Sequence, residues 1–331
     1  MAFRLKLVPD NTRIDFFRWQ LLTFGISAVA MLASIIVIAV NGFNFGIDFK
    51  GGTTIRTESP TAFQVGDYRG ALSDLGLADV TITEVFDPTF GPDKHVAQIR
   101  IGTTNETGSV TPQQLNEVEA ALKAVDPGVT FAAVESVGPK VSGELIKTAV
   151  YSVGAATLGI LFYIWLRFEW QFALGGVFAL VHDILLTAGL FALFQIRFDL
   201  TTIAALLTIL GYSINDTVVV FDRLRENLIK FKTMPLVDVM NLTVNETLSR
   251  TIMTAVATAL ALAALLVLGG DVIRGFVFAM LWGVFVGCYS TIYVAKNIVL
   301  WLGVRRDWTK PVKAAPGEKS ELAGTPFQDM P

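Results

Sequence analysis

The stretch LTTIAALLTILGYSINDTVVVF, residues 200–221, decides the fold class of this chain. It is apolar and long enough to cross a bilayer as one helix, because about 20 residues span the hydrocarbon core. Asp216 nevertheless lies inside it. A carboxylate at the centre of a membrane helix costs about 2.5 to 3.5 kcal/mol on insertion scales, and such residues commonly mark ion or proton pathways. The stretch therefore predicts a membrane protein with a functional acid.

The whole composition supports this class. Of the 331 residues, 53% are hydrophobic and 17% are charged, against about 25% charged in soluble domains. Basic residues near the start resemble the front of a secretory signal, but the first apolar stretch is too long for one and no cleavage site follows it, which indicates an uncleaved anchor. We expect six transmembrane helices of about 20 residues each, at 19–41, 146–166, 172–194, 200–221, 251–268 and 275–302.

The basic residues predict the orientation. Four Lys or Arg lie in residues 1–18, five in the loop 222–250 and five in the tail 303–331, whereas the links 195–199 and 269–274 hold one each. Loops rich in Lys and Arg stay in the cytoplasm. Both termini are therefore expected there, with a tail that is disordered because it is rich in Pro, Gly, Lys and Glu.

The segment 42–145 is then expected on the outer side as a small folded domain. Alternating residues predict strands at 53–58, 80–86, 95–101 and 129–137, and helical spacing predicts helices at 63–75 and 112–125, with a hairpin loop at 87–94. The order β-α-β-β-α-β is that of a split βαβ unit. The predicted fold is thus a polytopic α-helical membrane protein with one α+β ferredoxin-like periplasmic domain.

Polar side chains form a stripe on the helix that carries Asp216. Thr208, Tyr212 and Asp216 are spaced at i, i+4 and i+8, and Asn215 adjoins them. This spacing places them on one face of the helix. Stripes of Thr and Tyr serve either as interhelical contacts or as proton-conducting groups, and the sequence leaves both interpretations open.

A second stripe opens the next predicted span. Arg250, Thr254 and Thr258 share one face of that helix, and Arg250 lies at a depth where it is able to pair with Asp216. A nearby arginine keeps an acid ionised, and its withdrawal or the entry of water lets the acid take a proton. The pair is therefore either a proton-responsive site or a static buried ion pair.

Other chemistry has little support in the sequence. His182 and Asp183 form a second intramembrane pair, which serves either in helix packing or as a relay. A single cysteine, Cys288, and a second histidine, His95, far from the first, give no metal cluster. No nucleophile–base pair or phosphate-binding motif is visible, so an enzyme is the least favoured class and no cofactor is expected.

Several motifs carry a family resemblance. They are GIDFKGGT at 46–53, VGP at 137–139 with GEL at 143–145, VHD at 181–183, GYSINDTVVVFDR at 211–223 and NETLSRT at 245–251. Together they resemble the SecD/SecF family of the resistance-nodulation-division superfamily, over roughly residues 14–302. In that superfamily two six-span halves build one proton-driven machine, and this chain has the length of one half.

The resemblance implies a non-enzymatic subunit in the bacterial inner membrane. Its expected partners are SecD, the SecYEG translocon and preproteins, with YajC as a further candidate. Asp216, Arg250 and Thr254 match the positions of the family's proton-coupling residues. Asp48, Gly51 and Gly52 lie where motion would pass between membrane and domain, and we infer a hinge there because glycine is conformationally permissive. Half of a small-molecule proton antiporter and a passive scaffold remain the alternatives.

Overall fold

The computed structural model describes residue 9 and residues 12–86, 91, 93–102 and 110–304. One continuous stretch, residues 52–137, forms a small sheet domain, and the elements before and after it form a helical bundle. In chain order they are α1 (Gln20–Asn41), β1 (Asn44–Phe45), α2 (Ile47–Lys50), β2 (Gly52–Ser59), α3 (Val65–Ser73), β3 (Thr81–Val85), β4 (His95–Ile101), α4 (Pro112–Val125), β5 (Thr130–Val137), α5 (Pro139–Arg167), α6 (Trp170–Leu193), β6 (Arg197–Phe198), α7 (Leu200–Lys230), α8 (Leu236–Leu268), α9 (Asp271–Ser290), a π-helical turn (Thr291–Ala295) and α10 (Lys296–Leu302).

The predicted membrane architecture is confirmed. Within the described ranges, six helices are long and apolar enough to cross a membrane, namely α1, α5, α6, α7, α8 and the continuous run α9–π turn–α10. One end of the bundle meets the sheet and is called the domain end here. The other is called the far end. Helix α6 lies at the centre of the bundle. Half of the residues in its apolar stretch are buried, against 6% of those in α1.

Two helices extend well beyond the predicted spans. The segment 222–250 was predicted as a loop, but α7 continues to Lys230 and α8 begins at Leu236, so only residues 231–235 link them. Polar contacts stabilise these extensions. Arg223 bonds Glu246 across the two helices at 2.7 Å, and Asn227 bonds Thr243 at 3.1 Å. Hydropathy detects only the apolar part of such helices, which explains why the predicted helices are shorter.

The sheet domain follows the predicted order of elements. Its strands lie in the order β3-β4-β2-β5 with antiparallel pairing throughout. Helices α3 and α4 pack on the sheet around a core that includes Ile55, Tyr68 and Leu122. Strand β4 and helix α4 occupy the predicted residues, whereas the predicted loop 87–94 lies partly outside the described residues. The ferredoxin-like assignment stays a prediction, which this strand order supports.

The sheet domain is narrower than the predicted range 42–145. Its strands begin at Gly52 and end at Val137, and α5 has already started at Pro139. The preceding residues join the bundle instead, because β1 pairs in parallel with β6 and Gly46 donates to the carbonyl of Phe198 at 2.8 Å. Phenylalanine side chains bury this junction against the bundle. They are Phe43, Phe45, Phe49 and Phe198.

The first helix is held by the last membrane-spanning run. Tyr289 donates its hydroxyl proton to the carbonyl of Thr23 at 2.8 Å, and Asn297 donates to the carbonyl of Gln20 at 3.4 Å. Helix α1 also packs on α6, where Gly189 leaves room for Ser34. The bundle is therefore closed by contacts between elements at opposite ends of the described chain.

Candidate functional site

Asp216 occupies the middle of α7 and is almost completely buried, with 4% exposure. Its Oδ2 atom has no hydrogen-bond partner among the described residues. Tyr212 of the same helix and Cys288 of α9 lie close enough to interact electrostatically with the carboxyl group of Asp216. A carboxylate that is buried without partners is costly in its ionised form. The site is therefore suited to a carboxyl group that changes its protonation state.

Arg250 does not form the expected ion pair with Asp216 in this conformation. It lies well inside α8 instead of at its start, and its side chain is exposed. The two groups are near enough to interact electrostatically but make no direct contact. The predicted pairing is thus corrected to a long-range interaction, because the Arg250 side chain extends toward the surface of the chain while Asp216 faces inward.

The remaining stripe residues frame a polar surface between α7 and α8. Thr254 is exposed, and its hydroxyl bonds the backbone carbonyl of Arg250 at 3.1 Å, so it does not bind Asp216. The hydroxyl of Tyr212 is buried and lies opposite Thr258 and Thr254 of α8. Asn215 is exposed. We call this set, Tyr212, Asn215, Arg250 and Thr254, the α7–α8 face. Asn215, Arg250 and Thr254 of this face are exposed in the single chain.

His182 and Asp183 form a buried cluster that joins three helices. Both are 0% exposed, and His182 Nδ1 lies 2.9 Å from Asp183 Oδ1. Asp183 Oδ2 accepts hydrogen bonds from Ser213 of α7 at 2.6 Å and from Ser290 of α9 at 2.9 Å. This accounts for the packing interpretation of the pair, whereas the relay interpretation stays a prediction.

Sequence reasoning missed several polar residues in this core. Thr217 and Thr291 place their hydroxyl oxygens 2.9 Å apart, and Lys296 is fully buried one π turn further along the chain. The available signal for Lys296 was the one used for Asp216, a charged residue inside a predicted span. The hydroxyl residues carried no such signal, because Ser and Thr are common in membrane helices as packing residues.

The segment with the two glycines connects the sheet to α7. Asp48 Oδ2 accepts a hydrogen bond from the backbone N–H of Leu200 at 3.0 Å, where α7 begins. Gly51 has φ of 76° and Gly52 has φ of 129°, backbone conformations that favour glycine. The structure therefore brings the predicted hinge residues to the domain end of the helix that carries Asp216. Their role as a hinge stays a prediction.

A second contact links the domain to the start of α9. The backbone N–H of Phe86, at the end of β3, donates to Asp271 Oδ2 at 2.8 Å. Nearby, burial and the positive charge of Arg197 lower the pKa of Arg100 in β4. Arg197 itself pairs with Asp199 at 3.1 Å. The sheet is thus attached to the bundle through charged residues at the domain ends of two different helices.

Comparisons with known proteins decide the family. The family model described as protein export membrane protein SecD/SecF, C-terminal, matches residues 117–305, and the SecD/SecF GG motif matches residues 36–59. The chain belongs to the SecD/SecF family. This confirms the resemblance inferred from the sequence motifs, and the glycine pair Gly51–Gly52 lies inside the matched GG motif.

Curated members of the SecD/SecF family match along their full length. The protein translocase subunit SecF of Cereibacter sphaeroides is 64% identical over 330 residues, covering 100% of this chain and 99% of the relative. That of Rhodobacter capsulatus is 66% identical over 316 residues, covering 94% of this chain and 95% of the relative. These proteins are named as translocase subunits, in keeping with the non-enzymatic class expected from the sequence.

The fold also matches a solved member of the SecD/SecF family. The crystal structure of SecDF from Thermus, a translocon-associated membrane protein, superimposes with a TM-score of 0.78 at 33% identity and covers 89% of this chain. A second structure, of SecDF in its super-membrane-facing form, gives a TM-score of 0.62 at 34% identity. This chain spans 39% of the length of each solved chain.

Proposed function

We propose that this chain is the SecF-type subunit of the bacterial Sec export machinery. With SecD, it uses the proton motive force to promote late translocation and release of preproteins at the periplasmic side of SecYEG. Its sheet domain lies in the periplasm and both termini lie in the cytoplasm of the inner membrane, as the distribution of Lys and Arg indicates.

The observation that carries the proton-driven part is the buried, unpartnered carboxyl group of Asp216 beside the open α7–α8 face. Arg250 is exposed and acts on Asp216 from a distance, so a small rearrangement of α8 changes the electrostatic environment of the acid. Asp216 alternates between a protonated form and an ionised form that pairs with Arg250. Thr254, one turn from Arg250, contributes to the same face.

The open α7–α8 face also supports a partner. Asn215, Arg250 and Thr254 are exposed in this chain alone, and charged or amide side chains facing lipid are costly. A second six-helix half covers them in the complex. SecD supplies that half, in agreement with the 39% share that this chain has of the solved SecDF chain.

Proton binding is transmitted to the sheet domain through α7. Its middle carries Asp216, and the backbone N–H of its first residue is bonded by Asp48, next to the glycine pair. One proton crossing 100 mV releases about 2.3 kcal/mol, which shifts a two-state equilibrium by about fifty-fold. This is sufficient to bias a rotation of the domain about Gly51–Gly52.

The test is export of a slow-folding secreted reporter into inverted membrane vesicles, with and without a proton gradient. Asp216→Asn keeps the shape of the side chain but cannot ionise, and Arg250→Met removes the cation. We expect both to abolish the gradient-dependent part of export while SecD still co-purifies. Glu226→Gln is the matched control, since Glu226 lies on the same helix with a side chain that is 59% exposed.

Normal gradient-dependent export by Asp216→Asn would show that the acid is structural. The chain would then be a passive scaffold of the translocon. Loss of export by Glu226→Gln as well would mean that the assay reports general damage to α7 and not the chemistry of Asp216.

A further inference from the structure

Lys296 is a fully buried lysine that the mechanism above does not use. Its side chain is 0% exposed, and Nζ has neither a hydrogen-bond partner nor an ion-pair partner among the residues that the structure describes. Apolar residues surround this part of the chain, including Val294, Ala295 and Val299. An ammonium group in such surroundings is strongly disfavoured unless it finds a partner or gives up its charge. The charge of Lys296 therefore depends on whether a partner or water reaches Nζ.

The helix changes its winding immediately before Lys296. Thr291–Ala295 forms a π-helical turn between α9 and α10. Because π-helical bonding runs from residue i to i+5, Thr291 and Lys296 stand on one face of the turn. The hydroxyl of Thr291 contacts that of Thr217 on α7. Lys296 thus follows this contact by one π turn, in a segment that packs on α6.

The same contact belongs to a buried polar track through the bundle. Asp183 binds the hydroxyls of Ser213 and Ser290. One turn further on α7, Thr217 donates to the carbonyl of Ser213 at 3.1 Å and contacts Thr291. Each of these side chains is at most 1% exposed. The track runs from the His182–Asp183 pair to the contact of Thr217 with Thr291, and Lys296 follows Thr291 by one π turn. None of the track residues belongs to the α7–α8 face.

We propose that Lys296, one π turn beyond the last contact of this buried polar track, is a second protonation site of the machine and that it binds and releases one proton during the working cycle. This inference rests on the proposed proton-driven function. On protonation the neutral amine becomes an ammonium that needs a partner or water. On release the proton passes to water and the ammonium becomes a neutral amine again.

The π turn supplies the movement that this charge change requires. A π turn holds one more residue than an α-helical turn, and rewinding it into α-helix rotates the following segment by about 100°. Helix α10 is short, and Gly175 of α6 lets it approach closely, because a Cβ there would lie 2.7 Å from the carbonyl oxygen of Ala295. Rotation of α10 takes Lys296 off its buried face.

A pH change also titrates or acts through other charged groups on the elements around Lys296. These groups are His182 and Asp183 on α6, Asp216, Asp222 and Arg223 on α7, Glu246 and Arg250 on α8, Arg18 before α1, and Arg167 and Glu169 around the link between α5 and α6. Among the described residues, none of them forms an ion pair with Lys296.

The experiment compares three substitutions in the vesicle assay. Lys296→Met is never charged and, being unbranched and apolar, fits the buried site. Lys296→Arg is always charged. Lys296→His titrates at lower pH than lysine does. We expect the first two to reduce gradient-dependent export at least ten-fold, and the third to restore part of it with a pH profile displaced toward acid. Lys147→Met, the same change at an exposed lysine, is the control.

Two results overturn the inference. If Lys296→Met exports at the wild-type level, Lys296 serves only in packing. If Lys296→Arg exports at the wild-type level, Lys296 acts as a permanent charge and does not need to release its proton. Because Lys296→Met is expected to accumulate normally with SecD, its result decides even if the arginine variant fails to fold.

Asp216→Asn is measured in parallel. If it loses gradient-dependent export while Lys296→Met keeps it, the inference fails and the proposed function stands. If Asp216→Asn also keeps it, the proposed function fails.

Discussion

The carboxylate of Asp48 caps α7 by accepting a hydrogen bond from the backbone N–H of Leu200, with 3.0 Å between Oδ2 and N. Asp199 caps the same helix from within, since its Oδ1 accepts from the N–H of Thr202 at 3.1 Å. Two carboxylates at a helix N-terminus are favourable because the N–H groups there carry partial positive charge. An acid from the segment before the sheet domain is therefore bonded directly to the helix that carries Asp216.

Replacing Asp48 should weaken this attachment. Asp48→Ala removes one cap, and we expect a loss of about 1 kcal/mol in stability together with reduced gradient-dependent export. Asp48→Asn keeps an oxygen acceptor and should lie closer to the wild type. The measurements are the Tm of the purified complex with SecD and export into vesicles. An alanine variant that matches the wild type in both would show that the contact transmits nothing.

Gly52 should tolerate no side chain. Its φ of 129° disfavours other residues, and a Cβ would lie 2.6 Å from the carbonyl oxygen of Ile101. We expect Gly52→Ala to destabilise the domain by about 1 to 3 kcal/mol, visible as faster hydrogen exchange in β2 and β4. The control is Gly66→Ala in α3, where nothing lies within 4 Å. If both variants exchange alike, the glycine conformation is not a constraint.

Gly175 should determine how closely α10 packs against α6. An added Cβ would approach the carbonyl oxygen of Ala295 at 2.7 Å and Val299 Cγ2 at 2.8 Å. We expect Gly175→Ala to lower stability by about 1 to 3 kcal/mol, as overpacking commonly does, and to make Lys296 more accessible to amine-reactive reagents. Gly159→Ala in α5 meets open space and should do neither. Unchanged labelling of Lys296 in Gly175→Ala would contradict this packing.

The sheet domain should lose stability in acid through Asp126. Burial raises the pKa of this carboxyl group, but hydrogen bonds from Ser59, Tyr68, Gly128 and Thr61 outweigh it and hold the pKa below its ordinary value. The ionised form therefore stabilises the folded domain above about pH 4, the ordinary value for Asp, and this contribution is lost as the pH falls through the lower folded value.

Hydrogen exchange of the domain amides in the full chain measures this dependence. Asp126→Asn should flatten it below about pH 4. Tyr68→Phe removes the hydrogen bond of 2.7 Å from the phenol to Asp126 Oδ2, so its domain should open at higher pH than the wild type. An acid profile that neither variant alters would assign the sensitivity to other groups.

Periodic patterns were sufficient to predict most elements of this chain. Alternation placed β4 at His95–Ile101, and Pro112 with the following apolar face placed α4 at Pro112–Val125. Both signals depend only on local sequence. The ends of α7 and α8 were missed because their extensions are stabilised by the contact of Arg223 with Glu246, residues far apart in the sequence. Local patterns contain no information on such pairs.

The sequence predicted which residues belong to the candidate site better than it predicted how their side chains are arranged. A charge inside an apolar span identified Asp216, which the structure buries. The orientation of Arg250 depends on how α8 packs, and helical spacing does not determine that. Lys296 was readable as a charge in a span, but the π turn before it has no recognisable sequence signal. Its burial follows from the close approach of α10 to Gly175.

The contacts of α1 set an order for biogenesis. Among the described helices α1 is synthesised first, and its packing partner α6 is synthesised well before Tyr289 and Asn297, the residues that bond its first turns. Until Tyr289 is in place, Ser27 of α1 lacks the tyrosine hydroxyl to which it donates at 3.1 Å. A nascent chain halted before residue 289 therefore has α1 packed on α6 but lacks the hydrogen bonds that Tyr289 and Asn297 donate to its first turns.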